Sequence, residues 1–150
     1  MRIKIIGGGL TAIFLAAAAF ADLEPWKDYD VSDAVYSVTA VKVDSNMGDA
    51  YLEGIKQTWA ASNEVAKELG QIEDYAIYRS DLENSGDFNL LLVIKFANTA
   101  DLAPNKERYD AFIEAWGQAN ADASTDFAQK NYPGMRDITG EYMMREITLK

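Results

Sequence analysis

The chain has 150 residues, 49% of them hydrophobic, a formal net charge of −10, and neither histidine nor cysteine. That length and apolar content suit one domain with its own core, while the negative charge opposes phosphate backbones and anionic lipid surfaces and so excludes nucleic acid as a partner. Without cysteine there are no disulfides, thiolate zinc sites or cysteine nucleophiles; without histidine there are no Ser-His-Asp triads, histidine-ligated haem or two-histidine iron sites.

In chain order, residues 1–4 are a short basic start, residues 5–20 are apolar, and Ala19-Phe20-Ala21 has the small residues of an A-x-A cleavage site. This is the pattern of a Sec-type signal peptide, residues 1–21, cleaved after Ala21. The run is short for a bilayer span and contains Gly7, Gly8 and Gly9, which argues against an uncleaved anchor. A periplasmic or secreted protein is expected, with no stable membrane insertion after cleavage. Losing Arg2 and Lys4 and no acid takes the charge from −10 to −12. Residues 22–34 are acidic and lack periodicity, so they read as an N-terminal arm in which Trp26 and Tyr29 are the groups that would dock.

Residues 35–150 form the expected folded domain. Residues 35–43 (VYSVTAVKV) are β-branched and alternate, with Tyr36, Val38 and Ala40 opposite Ser37, Thr39 and Val41. A turn follows, with Asn46 as the expected N-cap and Asp49 in the first helical turn. Over residues 50–69 the period becomes helical, and Leu52, Ile55, Trp59, Ser62, Ala66 and Leu69 form a stripe that Gly70 ends. Residues 72–96 read as an antiparallel hairpin around the turn DLENSG. Its second strand is apolar on one face (Phe88, Leu90, Leu92, Ile94, Phe96) and mixed on the other (Asn89, Leu91, Val93, Lys95). The turn resembles a calcium loop with Gly86 at the sixth place, but Leu92 stands where a bidentate Glu is required and strands flank it, so no metal site is expected. Pro104 opens a second helix with a stripe of Tyr109, Phe112, Trp116 and Ala119; residues 123–132 add a short helix that Pro133-Gly134 stops. Residues 138–149 read as one last strand, Ile138, Tyr142 and Met144 facing away from Met143, Arg145, Ile147 and Leu149.

The order strand, helix, strand, strand, helix, strand predicts an α+β fold of the ferredoxin-like βαββαβ type, helices covering one face of a four-stranded antiparallel sheet. The other face has no helix, yet Leu91 and Val93 on it are too apolar to be left in water as a patch. Through VYSVTAVKV, the turn DSNMGD leading into YLEGIKQTW, and IEDYAIYRS with DFNLLLVIKF, the chain resembles the dimeric α/β-barrel superfamily, in layout the NIPSNAP-type and antibiotic-monooxygenase-type domains. The resemblance implies a homodimer with a pocket between sheet and helices or inside the joint barrel. Haem-binding relatives use a histidine ligand, which this chain lacks, so no cofactor is expected. Cofactor-free oxygenases of the superfamily are associated with pocket Asn, Trp and Tyr, types that Asn63, Trp59, Tyr75 and Tyr78 supply here.

No catalytic motif is present. The candidate ligand-binding residues are Trp59 and Asn63 on the first helix, Tyr75, Tyr78 and Arg79 on the hairpin's first strand, Lys95 on its second, and Trp116 on the second helix. A phenol beside a cation, as in Tyr75 and Arg79, polarises a carbonyl or stabilises an enolate. With the first and third strands taken as parallel neighbours, Lys42 and Lys95 would sit at the same end of the sheet and hold a carboxylate. The leading expectation is an exported homodimer binding a small organic molecule in an aromatic-lined pocket between Trp59, Tyr75 and Trp116. The alternatives are a cofactor-free monooxygenase or isomerase, and an envelope interaction protein that makes contact through Trp26 and the acidic arm.

Overall fold

The computed structural model describes residues 22–82 and 85–150; the signal-peptide expectation lies outside them. The elements are β1 (Tyr29–Val31), β2 (Val35–Val43), α1 (Gly48–Ile55), a π-helical turn (Lys56–Ala60), α2 (Ala61–Glu68), β3 (Asp74–Arg79), β4 (Leu90–Phe96), α3 (Lys106–Trp116), α4 (Gln118–Asn131), β5 (Arg136–Met144) and β6 (Ile147–Leu149). Four of the strands form one sheet in the order β3-β4-β2-β5, every neighbouring pair antiparallel. This is the ferredoxin-like order, with β4 inserted between β2 and β3. The α+β expectation is therefore met, helices covering one side of the sheet.

The core lies on that side. Val41 and Val43 of β2 and Leu90 and Leu92 of β4 pack against Tyr51 and Ile55 of α1 and against Tyr132. Gly54 lets the layers close: a Cβ there would sit 2.8 Å from a Phe127 ring carbon and 3.2 Å from Tyr132. The first helix departs from the expected stripe because its middle is a π turn, which inserts an extra residue and rotates the rest of the helix about its axis. Thr58 and Asn63 are consequently buried and Leu69 is exposed. Thr58 Oγ1 donates to the Gly54 carbonyl at 2.9 Å and sits 2.5 Å from the Tyr132 hydroxyl, so the hydroxyls satisfy each other in the core. The C-terminus ends as expected on Gly70, with φ +66°. The Gln71 N–H donates to the Ala66 carbonyl and the Gly70 N–H to the Lys67 carbonyl, the double bond of a Schellman motif.

Four other expectations need correction. Asn46 is not the N-cap: it has a left-handed backbone (φ +65°), and the cap position belongs to Met47, whose side chain makes no capping bond. The last strand is two. β5 ends at Met144, and β6 leaves the main sheet to pair antiparallel with β1, Val31 opposite Ile147 and Tyr29 opposite Leu149, so the arm is a strand of a terminal ribbon. Arg145 fixes the junction by donating to the Ser32 and Asp33 carbonyls at 2.9 and 2.8 Å. Between the pairs Ala40–Gly140 and Val41–Ile138, β5 has one residue too many; this bulge puts Ile138 on the helix side and leaves Tyr142 and Met144 on the other. In α3, capped by Asn105 accepting from the Arg108 N–H at 3.0 Å, Tyr109 is exposed despite its place in the stripe.

Gly54→Ala forces its Cβ into the Phe127 ring, and such overpacking costs about 1–3 kcal/mol. Urea unfolding followed by circular dichroism is expected to report that loss with an unchanged native spectrum; unaltered stability would mean that the helix and Phe127 are not so close.

Candidate functional site

The helix-free side of the sheet is built by alternation. In register, Tyr36, Val38 and Ala40 of β2 lie beside Lys95, Val93 and Leu91 of β4. Ala76 and Tyr78 of β3 extend the surface on one flank, opposite Val93 and Leu91, and Met144, Tyr142 and Gly140 of β5 on the other, opposite Tyr36, Val38 and Ala40. The outer members are open: Tyr78 is 60% exposed, Tyr142 55% and Met144 53%. The Tyr142 ring folds back across Gly140, where a Cβ would meet ring carbons at 2.8 Å, so it lies along the sheet instead of standing off it.

Charges on this face come in opposite-sign neighbours at its two ends. Lys95 is opposite Asp74 in register and bonds Glu73 at 2.6 Å. Lys42 is opposite Asp137 and donates to the Gly86 carbonyl at 3.0 Å. The expected carboxylate clamp of Lys42 and Lys95 is therefore corrected. β2 and β4 run antiparallel, so the two lysines lie at opposite ends of the sheet.

The predicted site residues divide. Trp59, Tyr75 and Asn63 meet on the helix side. The Trp59 and Tyr75 rings pack edge to face with centroids 5.5 Å apart, Asn63 Nδ2 donates to the Trp59 carbonyl at 2.7 Å, and the Tyr75 hydroxyl donates to Glu64 at 2.9 Å. Ring packing thus occupies the space between Trp59 and Tyr75. Burial and the bond to Glu64 raise the Tyr75 pKa, so the phenol holds its proton and its bond to Glu64 further into the alkaline range than an exposed tyrosine does. Tyr78 is on the helix-free face, Lys95 at its end, and Trp116 is half-buried at the end of α3.

Arg79 belongs to a different place, a cavity of about 490 Å³ where β2 and β3 end and α1 begins. Val43, Leu52 and Leu90 give it apolar walls; Asp44, Asp49, Asp81 and Arg79 give it charge. Asn89 makes one wall rigid, its side chain accepting from the Val43 N–H and donating to the Val43 carbonyl, each at 2.8 Å. The Arg79 guanidinium lies against the first residue of α1, since a Cβ on Gly48 would come within 3.2 Å of Nη2. Sequence reasoning singled out Arg79 but read residues 44–49 only as a turn. Nothing in their spacing indicates that β4 brings Asn89 and Leu90 to the same spot.

A second cluster also went unread. Arg136 lies over the Tyr51 and Tyr132 rings, 5.8 and 5.1 Å from the centroids, with its Nε buried and without a hydrogen bond among the described residues. The π faces are its compensation. Burial raises the Tyr51 pKa, opposed by the Arg136 charge. Tyr51 and Tyr75 are thus both harder to ionise folded than unfolded, so the stability they contribute is complete below about pH 10 and is lost as pH rises through their folded values. Tyrosinate absorbance in an alkaline titration is expected to include a late, cooperative step that coincides with unfolding; ordinary titration of every tyrosine would contradict this.

No family model matches the sequence, and neither does any curated protein. Among solved structures, the chain is similar to protein SO0527 from Shewanella oneidensis at 15% identity, covering 81% of this chain and 99% of that one, with a TM-score of 0.44. It is similar to a dimeric protein of ferredoxin-like fold from Bacteroides fragilis at 10% identity, covering 78% and 98%, TM-score 0.44. It is also similar to a NIPSNAP-like domain protein from Burkholderia xenovorans at 13% identity, covering 79% and 85%, TM-score 0.44.

Proposed function

We propose that this chain is an exported homodimeric domain that closes its helix-free sheet face against a second copy and holds a small organic molecule between the two. The observation that carries the reading is the exposure of Tyr78, Tyr142 and Met144 around the apolar centre formed by Val38, Leu91 and Val93. Four strands about 4.8 Å apart and some seven residues long present roughly 400 Å² in plan, and an apolar centre on a face of that size is often functional.

A second copy is the occupant that fits the charges. An isologous contact requires a surface complementary to itself, and a face of one sign would repel its own image. Here Lys42 lies opposite Asp137, Lys95 pairs with Glu73 at 2.6 Å and Lys67 with Asp74 at 2.8 Å, so each end of the face is balanced although the chain as a whole carries −10. The acidic remainder of the molecule then points away from the contact. Tyr36, Tyr78, Tyr142 and Met144 would wall the enclosed space, an aromatic lining formed by residues other than the Trp59 and Tyr75 pair. Export rests on the basic start, apolar run and A-x-A site of residues 1–21.

Sedimentation velocity at micromolar concentration is expected to give a dimer. Val93→Asp, which places an unpaired charge at the centre of the contact, is expected to weaken dimerisation by about a hundredfold or more with unchanged far-ultraviolet circular dichroism. A wild-type protein that sediments as a monomer, or a Val93→Asp variant that dimerises as well as wild type, would overturn the reading. N-terminal sequencing of the exported protein is expected to begin at Asp22.

A further inference from the structure

The cavity beside Arg79 lies wholly within one subunit, on the side of the sheet away from the proposed dimer contact, and its volume of about 490 Å³ is that of a small-molecule site. Three features of its lining bear on what would enter. The first is the cation. Among the described residues, Arg79 makes one ion pair, Nη1 to Asp49 Oδ1 at 3.7 Å, a distance beyond hydrogen bonding and on a carboxylate that is itself fully in solvent. Its forked donors are therefore available to a planar acceptor.

The second is the helix end. The guanidinium lies against Gly48 at the start of α1, where the helix dipole is positive and opposes a cation. Met47 supplies no side-chain cap there. A carboxylate beside the two, on the cavity side, would take hydrogen bonds from both the guanidinium and the first-turn amides and offset the conflict. The third is the balance of sign. Asp44, Asp49 and Asp81 outnumber the single arginine, so a plain anion would be repelled.

We propose that this cavity binds a small basic zwitterion, a molecule with one carboxylate and two cationic groups, as in L-lysine or L-arginine. The carboxylate sits on the cavity side of Arg79, beside the first turn of α1, and the cationic groups face Asp44 and Asp81. The apolar walls Val43, Leu52 and Leu90 take the aliphatic stem. Neither charge set alone accounts for the binding: the guanidinium selects the carboxylate, and the aspartates select against dicarboxylates.

Isothermal titration of the purified protein with L-lysine, L-arginine, succinate and putrescine, each to about 10 mM, a range in which weak charge-assisted binding still registers, tests this. The expected result is binding of both basic amino acids, weaker binding of putrescine, and none of succinate. Arg79→Gln is expected to lower L-lysine affinity by about tenfold or more, as loss of a charge-assisted pair does, to the level of putrescine. Asp81→Asn is expected to lower the affinity for both putrescine and L-lysine. Absence of binding by L-lysine and L-arginine, putrescine binding as tightly as L-lysine, or L-lysine affinity unchanged by Arg79→Gln would each overturn the proposal. Because one subunit holds the whole site, a monomeric Val93→Asp protein is expected to bind L-lysine as wild type does, which separates this test from that of the dimer.

Discussion

The centre of the sheet is apolar on both of its faces, while the connections of the chain put helices on only one. β4 places Leu90 and Leu92 in the core and Leu91 and Val93 on the opposite side. The topology leaves no choice about which face stays open. The two crossovers, β2 to β3 and β4 to β5, each join parallel strands separated by one other strand. The second is the first turned by half a revolution about the sheet normal, so connections of the same hand lay their helices on the same side. Among the described residues no segment remains to roof the other surface, because β1 and β6 are committed to each other in the terminal ribbon.

The covered side is organised by polar groups as much as by aliphatic ones. The π turn lets Thr58 reach both the Gly54 carbonyl and the Tyr132 hydroxyl, and the Tyr51 and Tyr132 rings take the Arg136 cation between the layers. Edge-to-face contacts of Tyr132 with Tyr51 and Phe127, at centroid distances of 5.3 and 5.7 Å, join α1, α4 and the turn before β5 into one unit. That unit sets the position of α1, and α1 in turn sets the Gly48 amide end against which Arg79 lies. The cavity is thus a consequence of core packing at the ends of β2 and β3.

The periodicities in the sequence made the elements and their order legible. VYSVTAVKV alternates, residues 90–96 carry two apolar faces, and Gly70 marks the helix end that the structure places there. Misreadings arose where one residue is gained or a partner is distant. The π turn shifts the buried side of the first helix onto Thr58 and Asn63, and the β5 bulge moves Ile138 away from Tyr142; both break a period that was counted through them. The pairing of β1 with β6 joins segments more than a hundred residues apart, and no local pattern encodes that. The site was legible only in pieces. Arg79 stands out as a cation on a strand, but its companions come from the turn before α1 and the start of β4. The Lys42 and Lys95 pairing fails for another reason: β2 and β4 run antiparallel, and strand direction is not written in either strand's residues.

The most direct test of self-association through the open sheet face is hydroxyl-radical footprinting over a dilution series, read by mass spectrometry at Tyr142 and Met144 with exposed Tyr109 on α3 as reference. A sheet face buried by a second copy predicts that both residues are protected in concentrated protein and become reactive on dilution while Tyr109 stays constant. Equal, full reactivity of Tyr142 and Met144 at every concentration would contradict it.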